Sequence, residues 1–131
     1  MSYSTIIYVA MGGAIGAVGR FAVVSFVGNL AHGAGTSFPF GTMVVNVLGS
    51  FILGALVELS ALAWSPSPEI RAMLVVGMLG AFTTFSTFSL DVVTLSTRGA
   101  WVQVALYLGL SVALSVAALY MGMQTLRTLL N

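Results

Sequence analysis

Five hydroxyls stand among three phenylalanines in the run Gly77-Met-Leu-Gly-Ala-Phe-Thr-Thr-Phe-Ser-Thr-Phe-Ser-Leu-Asp91. Thr83, Thr84, Ser86, Thr87 and Ser89 supply donors and acceptors. Phe82, Phe85 and Phe88 supply apolar bulk and electropositive ring edges. The run lies in the middle of an apolar segment long enough to cross a bilayer. Hydroxyls at that density compete with the backbone for hydrogen bonds, and β-branched Thr is a mediocre helix former. Gly77 and Gly80 loosen the chain just before them. The expectation is a helix broken near the membrane midplane. Lipid cannot satisfy the freed carbonyls and amides, so such a break survives only inside protein or beside a water or ion path. A Ser/Thr-rich helix using its hydroxyls to bind neighbouring helices is the plainer alternative.

Other polar residues stand out against apolar surroundings. Thr42, Asn46, Gly49 and Ser50 share one helical face, which puts an amide near membrane depth. Asn46 either makes an interhelical hydrogen bond or touches a permeating ion. Tyr107, Ser111 and Ser115 fall at strict four-residue spacing and make a ladder of hydroxyls up one face. Serine often bonds its own i−4 carbonyl, which competes with that reading. Gly12, Gly16 and Arg20 share a face in the first apolar run; the glycines suit close helix packing. Arg20, expected within two turns of its helix end, either snorkels to headgroups or faces a watery vestibule.

The elements that must position these residues are four helices. They are expected near Ile6–Val27, Thr42–Trp64, Ile70–Leu95 and Trp101–Leu126, with the break in the third close to Phe82. The stretch from Gly28 to Pro39 reads as an exposed loop holding a solvated His32, with Phe38 and Phe40 as interface anchors. Ser65-Pro-Ser-Pro-Glu69 and Ser96-Thr-Arg-Gly99 read as turns. The chain is 131 residues, 59% hydrophobic and only 5% charged, with a mean hydropathy of +1.09. A soluble domain carries about 25% charged residues, so this is one integral membrane domain spanning 1–131. The first helix is read as retained, since no basic segment precedes it. Cysteine is absent and His32 is the single histidine, which excludes thiolate chemistry and Cys/His metal clusters. No basic face exists to bind nucleic acid. No phosphate loop or His–Asp pairing suggests an enzyme.

Arg71 and Arg127 fall on the side of the termini, Arg98 and Arg20 on the other. That balance gives almost no orientation signal. It permits insertion both ways, and so an antiparallel homodimer that supplies the second half a transporter needs; the alternative is a fixed orientation, tipped by the N-terminal amine or an insertion factor. Such a dimer would bring two midplane breaks together, where carbonyls from both chains could hold an alkali cation. Ordinary backbone capping competes with that use.

The Gly12-Gly13-Ala-Ile-Gly16-Ala-Val-Gly-Arg20 run, Gly41-Thr-Met-Val-Val-Asn46-Val-Leu-Gly49, and above all Gly77 to Ser89 resemble the Fluc (CrcB) family of small fluoride channels, over essentially the whole chain. The resemblance implies an antiparallel, dual-topology homodimer in the plasma membrane (the inner membrane of a Gram-negative cell) with two fluoride pores. It implies that Phe85 and Phe88 line a pore, that Asn46 contacts the path, and that Tyr107, Ser111 and Ser115 form its hydroxyl track. Arg20 would lie near the aqueous vestibule. A central sodium ion would be held by the backbone carbonyls of Gly80 and Thr83. Ala81 and Asp91 depart from the family pattern, where a second glycine and a glutamate are expected. A small proton-coupled multidrug exporter is the rival. It calls for an embedded acid, whereas Glu58 and Asp91 are expected toward helix ends.

Overall fold

The computed structural model describes residues 2–130, and they are helical almost throughout. Helix α1 is Tyr3–Gly33 and α2 is Phe40–Leu62. The third span, Pro68–Thr97, is assembled from pieces: α3 (Pro68–Arg71), a π-helical stretch Ala72–Leu79, α4 (Gly80–Phe82) and α5 (Phe85–Thr97). Helix α6 is Trp101–Leu130. Four of these spans are long and apolar enough to cross a membrane, which makes this a multi-pass membrane protein. Polar caps start several of them. Ser67 Oγ accepts from the Ile70 amide, with Pro68 at the first helical position, where its missing N–H costs nothing.

The helices sort into two close pairs, and glycine makes each possible. Gly12 and Gly16 of α1 lie directly against the carbonyls of Met73 and Met78, while Gly77 lies against the Val9 carbonyl. No side chain fits there. Gly54 of α2 and Gly122 of α6 meet the opposing backbone at Leu119 and Phe51 in the same way. Backbones this close maximise dispersion contacts, the main attraction between helices in lipid. The interior between the pairs is small. Phe88, Leu95, Val104 and Tyr107 form its centre, with Phe38 and Met43 packed against them. Most other large apolar side chains face outward, as a bilayer permits.

Several expectations from sequence need correction. Helix α1 continues six residues past Val27, so His32 lies in its last turn and the loop is shorter. Gly28 and Asn29 are weak breakers, and a single glycine in a helix costs only about 1 kcal/mol. Arg20 is therefore thirteen residues from the end of α1 at Gly33, not one or two turns. It is half-buried, and the neighbouring Gly19 packs on the Phe82 ring. Phe38 is no interface anchor: its ring meets Tyr107 edge-on at 5.6 Å. Glu58 lies toward the end of α2 as expected, but it is buried. It is 4% exposed and accepts a 2.8 Å hydrogen bond from Arg127 Nε.

Candidate ion pathway

The break in the third span is where the site is built. Thr83 and Thr84 both leave the helical conformation for extended backbone, with φ/ψ of −82°/157° and −153°/117°. Two side chains then take over the work of the missing helix. The Thr84 amide donates to Asn46 Oδ1 at 2.8 Å, and Asn46 Nδ2 donates to the Thr84 carbonyl at 3.0 Å. One carboxamide thus satisfies both polar groups of one peptide residue across an interhelical gap. The Thr84 hydroxyl accepts from the Thr87 amide at 3.2 Å and donates to Thr87 Oγ1 at 3.0 Å. It is the N-cap of α5. The interhelical reading of Asn46 is the one the geometry shows, and one Nδ2 hydrogen remains beyond that pairing.

These substitutions have a consequence for two carbonyls. In a continuous helix the Thr84 amide would close on the Gly80 carbonyl, and the Thr87 amide on the Thr83 carbonyl. The first is turned onto Asn46 and the second onto the Thr84 hydroxyl. Gly80 and Thr83 therefore present carbonyls without their helical donors, and both residues line the cavity described next. Oxygen donors of this kind suit a hard alkali cation.

A cavity of about 420 Å³ runs beside the break. Asn46, Ser50, Gly80, Thr83, Thr84, Phe85, Phe88, Ser111 and Ser115 all contribute to its wall. It opens on the outer surface of the chain, where Phe85 is 77% exposed and Val112 and Val116 are also exposed. Phe88 is buried and Phe85 is not, yet their rings touch, 5.5 Å between centroids. Ser111 Oγ is buried and has no hydrogen-bond partner, so it does not bond back to its own helix. Tyr107, fully buried, lies behind this wall rather than on it. Its ring packs on Phe88 at 5.1 Å, and its hydroxyl donates to Asp91 Oδ2 at 2.9 Å. Asp91 in turn lines a smaller cavity of about 250 Å³ with Thr42, Thr87 and His32, near the end of α1.

The structure thus brings Asn46, Phe85, Phe88, Ser111, Ser115, Gly80 and Thr83 to one cavity. Tyr107 adjoins it. Arg20 is in neither cavity wall. Thr84 is the residue whose importance the sequence left unstated. A threonine directly before the first residue of a new helix is a readable N-cap signal.

Residues 7–123 match the family described as CrcB-like protein, Camphor Resistance (CrcB). A protein of Rhodospirillum centenum named fluoride-specific ion channel FluC is 51% identical over 94% of this chain and 95% of its own. Proteins of the same name from a Chelativorans species and from Shewanella woodyi are 50% and 43% identical, covering 93% and 92% of this chain and 95% and 94% of theirs.

Proposed function

The chain belongs to the CrcB-like family, and from that premise we propose that it is a fluoride-specific channel letting fluoride leave the cell passively. The observation that carries the reading is the cavity at the helix break, which combines aromatic rings with hydroxyls and no fixed positive charge. Fluoride is small and strongly hydrated, so it gives up water only to many donors in succession. Ser111, Ser115 and the spare Asn46 hydrogen can supply them, and Phe85 and Phe88 can offer ring edges. No cationic side chain lines the wall to trap the anion, which favours passage.

The pathway residues of the reading are Asn46, Phe85, Phe88, Tyr107, Ser111 and Ser115, with Arg20 drawing anions toward the path from α1. The cavity lacks an outer wall, which supports a second, antiparallel copy as the element completing two pores. Gly80 and Thr83 would hold a sodium ion through their carbonyls, where it would neutralise the exposed backbone dipoles of the break. The multidrug exporter is the weaker reading. Its proton exchange needs a free embedded acid, whereas Glu58 is paired with Arg127 and Asp91 accepts from Tyr107.

The test is efflux of fluoride and chloride, side by side, from liposomes holding the purified protein under a potassium/valinomycin shunt. Fast fluoride loss with chloride retained is expected; retention of both by a well-folded protein would sink the reading. Purification with a large organic cation in place of sodium should lower fluoride flux. Full flux with sodium shown to be absent would remove the cation from the scheme.

A further inference from the structure

Among the described residues, the buried side-chain polar atoms without a hydrogen-bond partner are Ser111 Oγ and Gln103 Oε1. They are eight residues apart on α6, about 80° apart around its axis. The full stripe is Gln103, Tyr107, Ser111 and Ser115, each four residues from the next. Ser111 and Ser115 line the cavity, and Tyr107 separates them from Gln103. The glutamine stands on the third residue of α6, beside Trp101, a residue type enriched at membrane interfaces.

An unpaired buried polar atom is costly and rare enough to need a reason. The amide oxygen of Gln103 is covered by the protomer's own atoms, so a second copy does not reach it where it lies. Turning the side chain would break no bond at that oxygen. A carboxamide also offers two donors and an acceptor from one position, which a hydroxyl does not. Donors toward an anion and an acceptor toward its water are what an ion needs as it exchanges protein for solvent.

We propose that Gln103 is a further rung of the ion path, on the far side of Tyr107 from Ser111. Its amide swings to meet fluoride and the water hydrating it at the mouth of the pore. This rests on the fluoride-channel reading and extends it by one helical turn, about 6 Å of rise.

The test compares wild type, Gln103→Leu and the nearly isosteric Gln103→Met in the same fluoride-efflux liposomes, with the unfolding midpoint of each in detergent. Both variants should lose flux by about three- to tenfold, the factor of one ordinary hydrogen bond. Their unfolding midpoints should stay level or rise, since an unpaired polar atom has been removed. Wild-type flux in both variants overturns the proposal. So does lost flux accompanied by lowered midpoints in both, which would make Gln103 a packing residue. A silent wild type would overturn the channel reading, and the rung with it.

Discussion

The break between α4 and α5 and the polar stripe of α6, which meet at the cavity through Ser111 and Ser115, treat their hydrogen bonds in opposite ways. At the break the Thr84 peptide groups and the Thr87 amide are taken up by side chains, while the Gly80 and Thr83 carbonyls go without their helical donors. Thr84 is paired on both sides by Asn46, and the Thr87 amide is held by the Thr84 hydroxyl. On the stripe, Ser111 and Gln103 each bury an atom with no partner. The paired groups of the break can be a rigid frame, because moving them costs several bonds at once. The unsaturated region can bind and release, because its groups have nothing to surrender. A path for an ion needs both, and here they sit on different helices.

Substitutions can break that contrast. The largest effect is expected for Asn46→Asp, which loses the donor to the Thr84 carbonyl and puts negative charge at membrane depth. It should reduce fluoride efflux by at least about a hundredfold, roughly 2.7 kcal/mol in barrier, and lower the unfolding midpoint as well. A wild-type rate there would place Asn46 outside the path. Phe88→Ile and Phe85→Ile come next. Both should cut flux while leaving an assembled protein. Only Phe88→Ile should also cost stability, on the order of 1–2 kcal/mol, because Phe88 is 7% exposed and Phe85 is 77% exposed. Equal stability losses would contradict the asymmetry. Ser111→Ala should lower flux by a few-fold, roughly 1 kcal/mol, with no loss of stability. A clear drop in its unfolding midpoint would show that Ser111 was bonded after all. Glu58→Gln is the smallest for conduction. It weakens the pair with Arg127, neither member of which lines the cavity, so the midpoint should fall while the fluoride rate holds. A large change in rate would tie that ion pair to the path.

The position of the break was legible because its cause is local. Crowded hydroxyls behind two glycines disfavour helix wherever they occur, and the chain leaves the helix at Thr83 and Thr84 as expected. The agent that repairs it was not legible. Asn46 is 38 residues away from Thr84, and only packing α2 against the third span decides whether its amide meets a peptide or an ion. A still longer separation hid the Glu58–Arg127 pair, 69 residues apart. The π-helical stretch Ala72–Leu79 has no sequence signature that separates it from an ordinary helix. It presses its backbone on Gly12 and Gly16 of α1. The end of α1 was misplaced because Gly28 and Asn29 punctuate a sequence more strongly than they destabilise a helix.

The same 69-residue offset that joins Glu58 to Arg127 also joins Asn46 to Ser115, since each lies twelve residues before its partner in the pair. The two helices run like rails bolted at one end, and the bolt sets the alignment of the other. An inserted or deleted residue in either helix between bolt and cavity would rotate that rail by about 100° and shift it by about 1.5 Å against the other. Matched changes in both rails would restore their relative alignment. Length changes between the ion pair and the cavity are therefore expected to be tolerated only in pairs, one in α2 and one in α6.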